Sequence, residues 1–521
     1  MSCITRRFCG KGIILGFFLS GAAAVEAGEW DITPRLTLGA GYSDNIDLTK
    51  NGDGDVAGEV TPGISVRGES ARLKAQLDYQ MQNVFFLDHS DDSSTYNQLN
   101  SSASAELSKD LLFLDASANA GQTVIDANRS ISIGNLNTSS NRSDFITYSI
   151  SPYLQSHLGG YADAKLRYRY SDVLYDSNGA ADATINAVNA DLASGRGRIF
   201  KQLSWNVSYS YLKQNNDNSS GNTSTGNGDS TYKNTDGEAR YALSKTFSLV
   251  GQAGYANNDY QTSDQIENGS YWALGGYWRP SRFYSLQALK GNNLETASIG
   301  LYPTVRTSLL VTYSKRDVGL NLGKTWTGSF SHHTRRTNWN ARYFEEITTQ
   351  QQLTSQTDVI FLGIDPITGE VNSNPQPGDL VVGLPTEVTS LTNEVIKRKR
   401  ASGSFGMKTG KSGLLFTVWD ERRKGQETLN DETTRGISGT WNRRVAPRTN
   451  SVLTASWQRI SDNQNVNNND EDFWYVQAQL VHRITPRTQG TLEVRHTEQN
   501  SSNDQSDYTE NLIFARVTKT F

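Results

Sequence analysis

Ala71-Arg72-Leu73-Lys74-Ala75-Gln76-Leu77-Asp78-Tyr79-Gln80-Met81-Gln82 alternates without a break. Its odd positions are apolar or aromatic and its even positions are polar or charged. A period of two places one set on each face of an extended strand. The pattern recurs in Trp30, Ile32, Pro34, Leu36, Leu38, Ala40 and Tyr42, interleaved with Asp31, Thr33, Arg35 and Thr37. It recurs again in Ala162, Ala164, Leu166, Tyr168 and Tyr170 against Asp163, Lys165, Arg167 and Arg169, and in Leu203, Trp205, Val207, Tyr209 and Tyr211 against serine and asparagine. A soluble sandwich turns such an apolar face inward, whereas a transmembrane barrel turns it outward to lipid.

The connections separate the two. Short turns rich in arginine, proline and threonine recur at Arg279-Pro280-Ser281-Arg282, 303–307, 333–337, Pro447-Arg448-Thr449 and Pro486-Arg487-Thr488. Longer stretches of Asn, Ser, Gly and Asp fall between them, at 43–54, 125–142, 214–231, 259–269, 460–471 and 498–507. Strict alternation of short and long connections fits a barrel with tight periplasmic turns and long outer loops. Short turns near 69, 109, 159, 201, 245, 280, 305, 335, 411, 447 and 487 imply about 24 strands if both termini are periplasmic. One hairpin either way makes the range roughly 22–26. Trp278, Trp339 and Trp441 sit beside short turns, as an interfacial girdle requires. The expected fold is therefore all-β: one large antiparallel transmembrane β-barrel.

Residues 1–27 read as a cleaved signal peptide. Arg6, Arg7 and Lys11 precede the apolar run Ile13–Leu19, and small residues lead to Val25-Glu26-Ala27. The ordinary unfolded route fits better than twin-arginine export, which the Arg6-Arg7 pair alone barely suggests. Both cysteines, Cys3 and Cys9, lie in that segment, so the mature chain (28–521) has no disulfide or thiolate site. A net charge of −4 points to no particular partner, and no nucleic-acid binding is expected. Mean hydropathy of −0.57, with no later long apolar run, excludes transmembrane helices. The reading places the protein in a bacterial outer membrane, among lipid, lipopolysaccharide and the barrel-assembly machinery.

The chain ends on FARVTKTF. Ile513, Ala515, Val517 and Phe521 share the outward face. This resembles the C-terminal signal by which outer-membrane barrels are recognised for assembly, with Val517 and Phe521 as its carriers. Lys519 departs from it, standing where that pattern prefers an apolar residue.

A barrel this wide must be a channel or be plugged. The first strand begins about three residues after the cleavage site, leaving no room for a separate plug ahead of it. Connection 348–391, with Ile360-Phe361-Leu362 and four prolines, is either a constriction folded into the pore or a surface flap. Arg72, Lys74, Lys165, Arg167, Arg169, Arg342, Arg398, Arg400 and Arg495 take the polar parity of their strands. Between 397 and 448, thirteen Lys/Arg stand against five acids. Fixed cations lining a pore attract anions. Alternatively Asp78, Asp163, Asp236, Glu238 and Glu493 share the lumen and neutralise them. Lys397 and Lys399 have the opposite parity and are candidates for lipopolysaccharide phosphates.

No catalytic, metal or cofactor site is expected. The six histidines (89, 157, 332, 333, 482 and 496) bring no nucleophile, base and orienter together. Asn51-Gly52-Asp53-Gly54-Asp55 lacks the downstream glutamate of a calcium-binding hand and reads as a solvated loop.

Several short motifs resemble those of the outer-membrane proteins associated with PEP-CTERM/exosortase systems of Gram-negative bacteria. They are Trp30-x-x-x-Pro34 leading to Tyr42-Ser43-Asp44-Asn45-Ile46, then Tyr277-Trp278-Arg279-Pro280-Ser281, then Pro303-x-x-Arg306-Thr307, and Phe521. The resemblance implies a role linked to exopolysaccharide or sorted surface proteins, with polysaccharide-export components as partners. Three functions follow: a conduit for an acidic exopolysaccharide or sorted surface polymer, a general diffusion porin, or a closed barrel acting as a docking or adhesion scaffold.

Overall fold

The computed structural model describes residues 28–176, 180–195, 202–217, 229–262, 266–356, 361–364, 371–372, 380–383, 388–428, 430–462, 469–502 and 506–521. The expected signal segment, 1–27, lies outside them. Seventeen strands, β1–β17, run between Glu29 and Thr349, and seven more, β21–β27, between Val395 and Thr520. Each pairs antiparallel with the next, and the last returns to the first, closing a 24-stranded barrel. Phe361–Ile364, Val371–Asn372 and Leu380–Gly383, strands β18–β20, form a separate small sheet. No helix among the described residues is long and apolar enough to cross a membrane.

Burial runs opposite to that of a soluble sandwich. Trp272, Leu274, Ile299, Trp326, Val494 and Ile513 face outward and are exposed, while Glu59, Glu421, Glu493, Arg495, Gln499 and Glu510 are buried inside. An apolar exterior with a polar interior is the arrangement hydrocarbon selects, because the closed ladder leaves no backbone group unpaired in lipid. Trp278 and Trp339 are exposed at the short-turn end, where Trp278 meets Tyr284 edge-on at 6.1 Å and Trp339 packs on Phe405 at 4.2 Å.

The closing seam is built from glycine and phenylalanine. Strand β1 (Glu29–Ser43) pairs with β27 (Tyr508–Thr520) over Arg35↔Thr520 to Ser43↔Leu512. Phe514 is 0% exposed and lies across Gly39 and Gly41; a Cβ on Gly41 would sit 2.2 Å from the Ile513 carbonyl oxygen. The aromatic ring covers backbone that glycine would otherwise leave bare. Beyond the seam the Tyr42–Ile46 motif is a lock. Asp44 accepts from the backbone and side-chain N–H groups of Asn511, both at 2.7 Å. Asn45 Nδ2 donates to the Thr49 and Thr509 carbonyls. Ile46 and Leu48 are buried, so the first half of the 43–54 connection tucks inward, while Asn51 and Asp53 beyond it are exposed.

Ten of the eleven short turns fall where the sequence reading puts them, and the one read near 201 lies outside the described residues. The long-loop end departs from the expected regularity. Strands β13 (Tyr284–Asn292) and β14 (Leu294–Thr304) are joined there by Asn293 alone, at φ 59°, a left-handed conformation asparagine tolerates better than most residues. β13 has 9 residues, whereas β25 (Asn469–Thr485) has 17, so the wall is low on that side.

Candidate functional site: the lumen and its cross-pore latch

The lumen is crossed at the long-loop end by three segments. The first is 125–141, between β5 (Leu112–Val124) and β6 (Arg142–Leu158). Ile131 is buried against Phe473, Tyr475 and Tyr508, and its backbone N–H donates to Gln499 at 2.9 Å. The Tyr508 hydroxyl donates to the Ile131 carbonyl, and Gln499 Nε2 to the Arg129 carbonyl at 3.2 Å. Leu136 joins Ile46, Val84, Phe86, Leu512 and Phe514. The barrel wall has inward aromatic and aliphatic side chains here because this loop covers them.

The second segment is helix α1 (Gln350–Gln356), which continues β17 (Thr337–Thr349). Thr349 Oγ1 donates to Gln214 Oε1 at 2.8 Å and Gln352 Nε2 donates to the same atom at 3.0 Å. Gln214 belongs to β9 (Leu203–Asp217), eight places away around the ring. The Thr354 and Tyr175 hydroxyls lie 2.8 Å apart. Gln351 Nε2 donates to the Ala181 carbonyl at 3.3 Å.

The third segment, 388–394, runs from β24 (Thr449–Asp462) to the start of β8 (Asp182–Ser194), eleven places apart. Val388 exchanges two hydrogen bonds with Gln458 at 3.1 and 2.6 Å, Leu391 N–H reaches the Ile125 carbonyl at 2.9 Å, and Asn393 accepts from Ala181 N–H at 2.6 Å. Six residues stretch at most ~20 Å. A round barrel of this strand count would be about 45–50 Å across from strand spacing and tilt. The walls therefore lean together at this end. Both described flanks of 348–391 lie inside the rim; most of 357–387 falls outside the described residues.

The lumenal charges are mostly compensated. Glu421, 0% exposed, receives Arg398 and Arg400 at 2.6 Å on Oε2 and Arg423 at 2.6 Å on Oε1. Arg398 also reaches Glu346 at 3.0 Å, and Arg423 reaches Gln350 of α1 at 3.1 Å, tying the latch to the cluster. Beside the seam Arg495 bonds Glu510 at 3.1 Å and Arg516 bonds Glu493 at 2.6 Å, and across it Arg516 reaches Glu59 at 3.1 Å. Charge-assisted bonds of this kind fix geometry.

The sequence-derived basic residues therefore separate. Arg167 pairs with Asp115 at 2.8 Å and stacks on Tyr153, which Lys165 also approaches. Arg398, Arg400 and Arg495 are paired as above. Arg342 stacks on Phe344 at 4.9 Å. Arg169 holds a buried Nε with no hydrogen-bond partner among the described residues. Arg72 lies in the turn between β2 (Asp55–Glu69) and β3 (Leu73–Phe86), while Lys74, the second residue of β3, pairs with Glu69 at 2.7 Å at the barrel's short-turn rim. Lys399 meets Glu345 at 3.3 Å. Arg167, Arg398, Arg400, Arg423, Arg495 and Arg516 thus each have a carboxylate partner. Asp78 takes Arg35 at 2.7 Å, Glu238 takes Arg240 at 3.3 Å, and Asp163 faces His157 at 2.5 Å. Arg35 and Arg516 share the polar parity of their strands, a signal sufficient to find them; nothing in the sequence marks the Thr-Thr-Gln-Gln-Gln run at 348–352 as a latch.

No family model matches the chain, and no curated protein matches it. Among solved structures it is similar to the siderophore receptor PirA from Acinetobacter baumannii, at 9% identity and TM-score 0.47 over 95% of this chain and 81% of that one. It is also similar to the FrpB iron transporter from Neisseria meningitidis, at 11% identity and TM-score 0.45 over 94% and 82%. Likeness at that level carries no functional argument.

Proposed function

We propose that the protein is an outer-membrane conduit whose outer mouth is held shut by its own loops and opens to pass an extended surface polymer. The observation that supports gating is the hydrogen-bonded bridge from Thr349 and Gln352 to Gln214, made by short neutral side chains that can exchange partners with water. Neutral hydrogen bonds contribute only about 0.5–1.5 kcal/mol net each, so such a bridge is reversible. The polymer cargo, an exopolysaccharide or sorted surface product, rests on the sequence resemblance to the PEP-CTERM/exosortase-associated proteins. An acidic cargo is no longer required by the lumen, because most of its arginines already have carboxylates.

The test is conductance of the refolded barrel in a planar bilayer, intact and with both 126–140 and 351–393 deleted. The expected result is rare openings in the intact protein and a large, steady conductance after deletion. Silence in both forms, from protein shown to be folded, rejects a conduit in favour of a closed scaffold.

A further inference from the structure

At the short-turn end, the ends and turns of strands β12 (Gly269–Ser281) to β16 (Gly323–His333) surround an open concavity of about 450 Å³. Arg279, Arg282 and Arg306 line it with Phe283, Tyr302 and Thr304. Arg279 lies over the Tyr302 ring at 5.9 Å and Arg282 over Phe283 at 5.0 Å. No carboxylate lines this space. From 268 to 344 the only acids are Glu295 and Asp317, and both are spent at the opposite end on Lys290 (3.3 Å) and Lys315 (3.7 Å). The contrast with the lumen is sharp: there arginines are matched by glutamates, and here three arginines line one space that no carboxylate lines.

We infer that this concavity is a binding site for a phosphate ester, independent of whether the barrel conducts. Three guanidiniums call for more than one negative charge, and a phosphate carries up to about two with several acceptor oxygens. A carboxylate would leave two of them uncompensated. Arginine forks fit phosphate in bidentate fashion, and the neighbouring hydroxyl of Thr304 can donate as well. The volume exceeds that of the anion itself, and the Tyr302 and Phe283 rings offer apolar surface for the organic group of the ester. Two sources fit this chemistry: a phospholipid headgroup of the adjoining leaflet, and a soluble phosphate ester entering at the mouth.

The experiment has two arms on the folded, full-length mature barrel. In detergent, inorganic phosphate and then pyrophosphate are titrated by calorimetry; in nanodiscs, retention of phosphatidylglycerol over phosphatidylcholine is measured by native mass spectrometry. Arg279→Gln/Arg282→Gln/Arg306→Gln should weaken whichever binding is seen at least tenfold. Lys290→Gln/Lys315→Gln, at the other end, should leave it unchanged. Arg306→Lys should lose part of it by keeping charge without the fork. Binding in the first arm assigns a soluble ester, and binding confined to the second assigns a headgroup. Absence of binding in both arms, or equal binding by the triple variant, overturns the site. Migration of the unheated barrel on a gel verifies that each variant is folded.

Discussion

Thr349 donates its hydroxyl to Gln214 Oε1 at 2.8 Å, although β17 and β9 stand eight strands apart in the ring. The low wall through β13 and β14 lets the taller strands on either side approach, and the glutamine-rich start of α1 closes the gap. Gln214→Leu removes the acceptor for both Thr349 and Gln352 and strands two buried donors. The loss of about 1–3 kcal/mol is borne by the closed state alone. Since 1.4 kcal/mol is a factor of ten, the ratio of open to closed time should rise roughly tenfold in single-channel records. The melting temperature of the barrel should barely move, because the 24-strand ladder is untouched. Unchanged gating would mean that 125–141 and 388–394 hold the mouth without this bridge.

Glu421 is the keystone of the cluster on β21 (Val395–Lys408) and β22 (Ser412–Gly425). Glu421→Gln leaves Arg398, Arg400 and Arg423 converging on a neutral amide in a fully buried position. Removing one partner of a buried ion pair costs about 3–5 kcal/mol. The urea midpoint of unfolding should fall clearly, and any conductance that survives should shift toward anions under a salt gradient. Arg400→Gln is the milder change, since two guanidiniums remain on the carboxylate. If Arg400→Gln proves the more damaging, the cluster is organised around Arg400 instead.

The barrel itself was legible because lipid imposes one rule on every strand. A period of two in 71–82 or 162–170 survives whatever the neighbours do, and tight turns need particular residues. The low wall was hidden because Asn292-Asn293 is a weak turn signal beside the conspicuous Asn/Ser loops. The pairing of lumenal arginines was half legible. Parity places Arg495 and Glu493 inside, yet which carboxylate meets which arginine depends on register between strands, as with Arg516, which reaches both Glu493 and Glu59. The latch was illegible, because Gln350–Gln352 and Gln214 lie far apart in the chain and carry neither charge nor periodicity.

His89, in the connection between β3 (Leu73–Phe86) and β4 (Ser94–Ser108), places Nδ1 3.0 Å from Asp55 Oδ2. That hydrogen bond, with the charges of Asp47, Asp55 and Asp92 beside it, raises the imidazole pKa above its ordinary value. A group whose pKa is raised on folding stabilises the fold fully below its unfolded pKa of about 6.5, and that contribution is lost as pH rises through the folded value. The His89 ring resonance should titrate above the ordinary histidine midpoint, and Asp55→Asn should bring it back down. Backbone amides of 87–93 should exchange faster with solvent once the pH passes that midpoint. A midpoint unmoved by Asp55→Asn would place the cause elsewhere.

Phe521 is 58% exposed and continues the outward series of Ile513 and Val517, while its backbone N–H donates to the Pro34 carbonyl at 3.0 Å. Lys519 Nζ lies over its ring at 5.1 Å, so the cation that breaks the apolar pattern is held against the aromatic that completes it. An exposed side chain contributes little to the folded barrel, and Phe521→Ala should change refolded stability by no more than about 0.5 kcal/mol. If Phe521 and Val517 form an assembly signal, the same substitution should nevertheless lower the folded barrel recovered from cell membranes several-fold. Val517→Asp is the contrast, because a charge on the lipid face lowers both yield and refolded stability. Lys519→Val restores the apolar position and should raise the yield of assembled barrel. Equal yields from Phe521→Ala and the parent chain would leave the terminal ring as no more than the last member of the lipid-facing row.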